Sequence, residues 1–290
     1  MSNPHVIRGN SIYSIAGGPT WHNAEANANK LGGHLVTIND AEENQWLVDN
    51  LSGRDDYYNI GYYDQYWIGL DQNTAGEWSW SSGEDLIYEN WYPGFPNDPS
   101  NFYGQLHGEI ALSATNQGWR SEAGFWNDEI FGAGGHYGIA ETPFVRRGDS
   151  AYVLVEGPTW EEAEANANKL GGHLVTIESQ EEFYWLRNTL PILEDIKGEP
   201  DHYYWSGLND KNNEGTWEWV SGIDSDFRAW KEGEPNNYNA YNQTSQDEDY
   251  MSFNAGSEFW VGQSNEDGAL TEDEAHQWRG VAEIKIPIIN

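Results

Sequence analysis

The sequence predicts an α+β protein made of two copies of one domain. Each copy has two helices, small antiparallel sheets and a long loop. Three observations predict it. The fifteen residues AEANANKLGGHLVTI occur twice, from Ala24 to Ile38 and from Ala163 to Ile177, an offset of 139 residues (24 to 163). A long self-match at a fixed offset marks duplicated units. Within each copy, apolar residues first recur at helical spacing and then alternate as in a strand. Later landmarks also repeat in order: Gly76, Trp78, Trp80, Ser82 and Gly83 match Gly215, Trp217, Trp219, Ser221 and Gly222, and Trp91 and Gly94 match Trp230 and Gly233.

The first unit is expected over 9–142, opening on strand-like Ile12 to Ile15. The second is expected over 148–288, opening on Tyr152 to Val155. Pro143 to Arg147 reads as a short linker. Thr159 suits a helix N-cap, and Glu162 completes a capping box; Thr20 caps the first copy, with Asn23 in place of the glutamate. Trp160, Ala163, Ala167 and Leu170 then form one apolar stripe, as do Trp21, Ala24, Ala28 and Leu31. Gly171-Gly172 and Gly32-Gly33 end these helices, because glycine accepts the left-handed conformation there. His-Leu-Val-Thr-Ile alternates like a strand, and its His34 and His173 read as structural. Asp40 with Glu43 and Ser179 with Glu182 open second helices carrying Trp46-Leu47 and Trp185-Leu186. The Trp-x-Trp segments read as strands with one buried face, their indoles as core rather than sugar platforms. Gly138 to Glu141 and Gly280 to Ile284 read as closing strands. The long loops between are rich in Asn, Asp, Pro and Gly and are expected to carry function.

Net charge is −34 over 290 residues, with 14 basic residues against 48 acidic ones. Nucleic acid is excluded as a partner, since phosphate binding needs Lys and Arg. Mean hydropathy is −0.78, but 16 tryptophans argue for aromatic-rich cores rather than disorder. The absence of cysteine removes disulfides, thiol catalysis and thiolate zinc sites. No apolar run is long enough to span a membrane, so no membrane insertion is expected. No signal peptide is visible, and the chain is expected to be a piece of a larger surface protein. No Gly-x-Ser-x-Gly, His-Glu-x-x-His or phosphate-cradling loop occurs, so an enzyme is not expected.

Calcium takes about six to eight oxygen ligands. The second unit gathers such groups: Asp210 and Glu214 four residues apart, then Glu234-Pro235-Asn236-Asn237, then Asp247-Glu248-Asp249 before strand-like Tyr250 to Phe253. Together with Leu-Gly-Gly-His-Leu-Val-Thr-Ile, the acidic second helix, Trp67-Ile68-Gly69-Leu70 and Trp205-Ser206-Gly207-Leu208, this order resembles the C-type lectin-like domain over nearly the whole chain. The missing cysteines depart from the family's usual disulfides and fit a bacterial or phage version that relies on bound calcium.

The resemblance implies a Ca2+ cofactor. In the family a cis proline in Glu-Pro-Asn aims both flanking side chains at one ion. Glu234, Asn236 and Glu248 would then hold the sugar-binding calcium. Asp210, Glu214, Asn237, Glu248 and Asp249 would hold a structural one. The family's last ligands come from Trp-Asn-Asp, where this unit has Trp260-Val261-Gly262. Either Ser264 to Gly268, with Asn265 and Asp267, or Glu272-Asp273-Glu274 could replace them. The first unit keeps Trp126-Asn127-Asp128 but has Phe95 before Pro96 and Ala75 in place of the Glu214 equivalent. Its Asp71, Asn97, Asp98, Glu109, Asn127 and Asp128 make at most a weak site, and Trp-Asn-Asp there is read as serving the fold. The implied function is a calcium-dependent carbohydrate-binding or adhesion module at the outside of a cell or virion. Its expected ligand is a glycan of mannose, fucose or glucose type, with other domains of a larger adhesin as further partners. The alternative is a protein-binding or spacer module whose calcium is only structural.

Overall fold

The structure, a computed structural model, describes residues 5–52, 64–97, 105–114, 122–130, 137–195, 203–236, 238–239, 244–245, 248–254, 260–263 and 278–287. The chain divides into two compact units, Met1–Asn29 with Gly33–Thr142, and Pro143–Asn290 with Lys30–Gly32.

The first unit opens with a hairpin, β1 (His5–Arg8) and β2 (Ser11–Ala16). Arg8 pairs with Ser11, so Gly9-Asn10 is a two-residue turn, and Gly9 takes φ 58°. Then come α1 (Trp21–Lys30), β3 (His34–Leu35), α2 (Ala41–Leu51), β4 (Gln65–Gln72), β5 (Trp78–Trp80), β6 (Gln105–Ala111), β7 (Trp126–Ile130) and β8 (Tyr137–Pro143). The sheet runs β1-β2-β8-β4-β6-β7, with β3 on β8 and β5 on β4. Only β4 and β8 pair in parallel among the registers described.

The second unit repeats this order. β9 (Val145–Arg147) lies inside the stretch read as a linker, and it forms a hairpin with β10 (Ser150–Glu156). The signal was legible: Arg8-Gly9-Asn10-Ser11 recurs as Arg147-Gly148-Asp149-Ser150, and Gly-Asn and Gly-Asp are two-residue hairpin turns. There follow α3 (Trp160–Lys169), β11 (His173–Leu174), α4 (Gln180–Asp195), β12 (Tyr203–Asn209) and β13 (Glu218–Trp219). The unit closes with β14 (Tyr238–Asn239), β15 (Thr244–Ser245), β16 (Tyr250–Asn254), β17 (Val261–Gln263) and β18 (Arg279–Lys285). Its sheet order is β17-β16-β12-β18-β10-β9, with β11 on β18 and β13 on β12; among the described residues β14 and β15 form a separate pair.

The helix starts form as expected, with one change in the boxes. Asp40 and Ser179 accept from the backbone N–H groups of Glu43 and Glu182, at 2.7 and 3.2 Å. The glutamates reach back one residue further than a standard box, to the N–H groups of Asn39 (3.0 Å) and Glu178 (2.9 Å). At the helix ends, Gly32 and Gly171 take φ 91° and 82°. The second glycine of each pair has its own reason. A Cβ on Gly33 would sit 1.9 Å from the Glu141 carbonyl oxygen, and one on Gly172 2.2 Å from that of Glu283, so only glycine lets the chain pass the closing strand.

The tryptophans build the two cores. Trp67, Trp126, Trp160, Trp205 and Trp260 are fully buried, and Trp78, Trp91, Trp217 and Trp230 pack half-buried against them. Trp21 Nε1 donates to the Ile68 carbonyl and Trp160 Nε1 to that of Ser206, both at 2.7 Å, pinning each first helix to its central strand. His34 and His173 lie 3.1 and 2.7 Å from Glu25 and Glu164, whose other carboxylate oxygens accept from the N–H groups of Leu35 and Leu174. These histidines tie helix to strand, as their structural reading required.

One buried group distinguishes the units. The Tyr13 hydroxyl lies 2.9 Å from Glu43 and 2.9 Å from Glu141. It has one proton and so can donate to only one of them. Arg8 pairs with Glu43 at 3.2 Å. Burial, then the neighbouring Glu43 charge, pushes the Glu141 carboxyl above its ordinary range. Glu141 therefore holds a proton more readily than a free carboxyl does. In the second unit Lys285, 3.1 Å from Glu283, offsets that charge. The folded first unit binds more protons than the unfolded chain above the ordinary carboxylate pKa, so its stability falls as pH rises there. Glu141→Gln, which keeps a donor to the Tyr13 oxygen, is expected to stabilise the first unit at neutral pH by on the order of 1 kcal/mol. The gain should vanish in acid. Urea melts at two pH values measure it, and an equal effect at both would remove the protonation argument.

Candidate metal centre

The second unit brings three acids to one point because of its strand register. β12 and β16 pair through Trp205 and Ser252, then resume at Asn209 and Tyr250 after an irregularity. This sets Asp210 beside Asp249, and the Asp210 N–H donates to the Asp249 carbonyl at 3.0 Å. A tight turn returns Glu214: the Asn213 N–H donates to the Asp210 carbonyl at 2.8 Å, and the Gly215 N–H to Asp210 Oδ2 at 2.8 Å. Carboxylate oxygens of Asp210, Glu214 and Asp249 all lie within 4.8 Å of one another.

Asp210 is 4% exposed, and its Oδ1 is buried with no hydrogen-bond partner. Burial, with Glu214 and Asp249 adding to it, pushes its carboxyl up to about 6. A buried anion beside two more is costly alone and suits a hard dication. The donor set fits calcium: carboxylates from three chain positions and no nitrogen or sulfur.

The other predicted residues are placed as follows. Glu248 is buried next to Asp249 on the approach to β16. Glu234 is half-buried and Asn236 exposed, and the Glu234-Pro235 bond between them is cis. Neither Glu234 nor Glu248 belongs to the group of acids that converges. Asn237, Asn265 and Asp267 lie outside the described residues, as does Asp98 of the first unit. Val261 and Gly262 stand on β17 where the first unit has Asn127 and Asp128 on β7.

In the first unit, Phe95-Pro96 is also cis. Asp128 is fully buried and accepts from the Asn97 N–H at 3.1 and 3.0 Å. The Asn127 amide donates to Glu109 at 2.8 Å, so the buried Glu109 too is met by a donor of the same strand pair. Ala75 leaves the turn after β4 without a counterpart of Glu214. Asp71 faces another way, across the ladder to His107. Sequence reading missed this histidine, because nothing local connects it to Asp71.

A family model for the lectin C-type domain matches residues 18–129 and 156–250. The human C-type mannose receptor 2 is 26% identical over 236 residues, which cover 76% of this chain and 15% of the receptor. A perlucin-like protein of Mytilus galloprovincialis is 33% identical over 94 residues, 32% of this chain and 57% of its own length. The chain thus spans well under two thirds of these relatives. A solved human scavenger receptor C-type lectin carbohydrate-recognition domain is 23% identical, covers 49% of this chain and 95% of its own, and has a TM-score of 0.38. Among the described residues, no helix is long and apolar enough to cross a membrane.

Proposed function

We propose, from the premise that the chain belongs to the family of lectin C-type domains, that its second unit is a calcium-dependent sugar-binding site. The family is non-enzymatic, and its mannose receptor and hepatic lectin relatives support a carbohydrate-binding lectin module. The convergence of Asp210, Glu214 and Asp249 around a buried oxygen of Asp210 with no hydrogen-bond partner carries the calcium reading. These three, with Glu248 and Asn237, are the ligands of a structural ion that would hold the long loop. Glu234, Asn236 and Glu248 are the sugar-side ligands. The first unit, over 9–142, serves mainly as fold; the second, over 148–288, carries the site. We place the module outside the cell or on a cell or virion surface, within a larger adhesin.

When bound, calcium supplies coordination positions for two neighbouring sugar hydroxyls. The chain's own part is directional. Glu234 can only accept a hydrogen bond, and the Asn236 amide can donate one. That order suits two equatorial hydroxyls, as on mannose, glucose or N-acetylglucosamine, or the matching pair on fucose. A relative named a mannose receptor supports the same class. Monosaccharide affinity is expected to be millimolar, about −4 kcal/mol, which suits binding through many copies. Calorimetric titration with mannose, fucose and galactose in calcium tests this. Mannose or fucose binding that EDTA and Glu234→Ala each abolish is expected. A galactose preference, or binding that survives both treatments, would reject it.

One observation favours a second reading. Val261-Gly262 on β17 supplies no side-chain oxygen where the first unit has Asn127-Asp128. If calcium stabilises the fold and no sugar binds, the module is a protein-binding or spacer unit with structural calcium only.

A further inference from the structure

The first unit holds a second type of donor set that the calcium reading does not use. His107 is 2% exposed, and its Nδ1 lies 3.1 Å from Asp71 Oδ1 across the β4–β6 ladder. Yet that buried nitrogen makes no hydrogen bond of acceptable geometry. Two atoms this close without a proton shared along their line are arranged like two ligands of a common ion. His22, exposed in the first turn of α1, places its ring centre 5.0 Å from that of His107, at 88° between planes. Trp21 stacks on His107 at 4.8 Å and 8°, fixing the ring. Donors about 2.0–2.1 Å from a tetrahedral zinc stand about 3.3 Å apart, and imidazole centres on one ion about 5 Å apart. The His107–Asp71 distance matches the first and the ring-centre distance the second, while the nitrogens of His22 do not meet both other donors.

The second unit shows what this place holds otherwise. There Tyr250 stands for His107 across from Asn209, and Glu161 stands for His22 after the paired tryptophan. The Tyr250 hydroxyl bonds Glu161, and Lys211 lies 4.0 Å from Glu161. The same corner is closed by an ordinary acid–phenol–amine network. In the first unit the two exchanged positions both became imidazoles, the ligand type that zinc, copper and nickel favour over calcium.

We propose that His22, His107 and Asp71 bind a zinc-type transition-metal dication in the first unit, with water completing the shell. The three donors do not all lie within 4.8 Å of one another, so the exposed His22 turns its ring to close the site. The proposal is independent of calcium in the second unit.

The test uses tag-free whole chain saturated with calcium. Cobalt is followed by its visible absorption and zinc by calorimetry and competition against cobalt. One equivalent of cobalt is expected to give bands of an imidazole–carboxylate centre that zinc displaces. His22→Ala and Asp71→Asn, both at accessible side chains, should each weaken cobalt by at least about tenfold. His34→Ala, at a histidine tied to Glu25, should not. Circular dichroism confirms folding of each variant. His107→Tyr, the residue type of the second unit, should abolish the signal. No band at one equivalent, or a band that persists in both His22→Ala and Asp71→Asn, overturns the site; so does one lost in His34→Ala.

Discussion

Trp126→Ala is expected to unfold the first unit under conditions where the second stays folded. Trp126 is fully buried on β7, and Trp80, Tyr88 and Trp91 meet its faces edge-on with ring centres 5.6 to 5.8 Å away. Its Nε1 donates to Asn44 Oδ1 at 2.8 Å, joining β7 to α2. The backbone of this strand also anchors the long loop: Tyr92 donates to the Trp126 carbonyl, and the Trp126 N–H to that of Asn90. Truncation leaves a cavity, worth about 3–5 kcal/mol for a large aromatic. It also leaves the Asn44 amide oxygen without its donor, at a further cost of about 1–3 kcal/mol. Together, about 4–8 kcal/mol, they match the lower part of the stability range of a typical domain, about 5–15 kcal/mol. Scanning calorimetry should show one of two transitions lost or moved far down. Trp126→Phe, which keeps a ring but not the N–H, should fall between. Two unchanged transitions in Trp126→Ala would mean that the indole is not the keystone described.

Calcium is expected to raise the melting temperature of the second unit and to leave the first nearly where it was. An ion at about one hundred times its dissociation constant adds about 2.7 kcal/mol to a fold that alone binds it. For a domain of this size that is roughly 10 °C. The effect depends on pH in a definite direction. Asp210, with its carboxyl near 6 in the fold against 3.8 as a free side chain, holds a proton that the unfolded chain has lost. Without the ion, stability therefore falls as pH rises from about 4 to about 6. Bound calcium replaces that proton, so the calcium-dependent gain grows over the same window. Asp210→Asn removes one charge from the group of three. It should abolish most of the gain while raising stability in EDTA. A melting curve indifferent to EDTA at pH 7.5 would reject the centre.

Much of this was legible in the residue order. The duplication, the four helices with their caps, the buried tryptophans and the structural histidines follow from periodicity and from side chains acting within four residues of themselves. Pro143 to Arg147 reads as a linker by its Pro and its shortness, yet the turn Gly148-Asp149, like Gly9-Asn10, makes β9 one arm of a hairpin. Ligand types were legible too: Asp210, Glu214, Glu248 and Asp249 are hard oxygen donors wherever they lie. The sequence by itself thus determined two units, what each buries, and a stock of hard oxygen donors without thiols. Tertiary structure alone decided which donors meet. Asp210 and Asp249 are brought together by an irregularity between β12 and β16, and Asp71 and His107 by its counterpart between β4 and β6. The raised carboxyl of Glu141 likewise follows from its burial and from the distant Glu43 that the fold sets across the same phenol. The reason is one of range. Helix and turn preferences are local energies, whereas strand register depends on every side chain packed across the sheet, and a shift of one residue would send each of these donors to the opposite face.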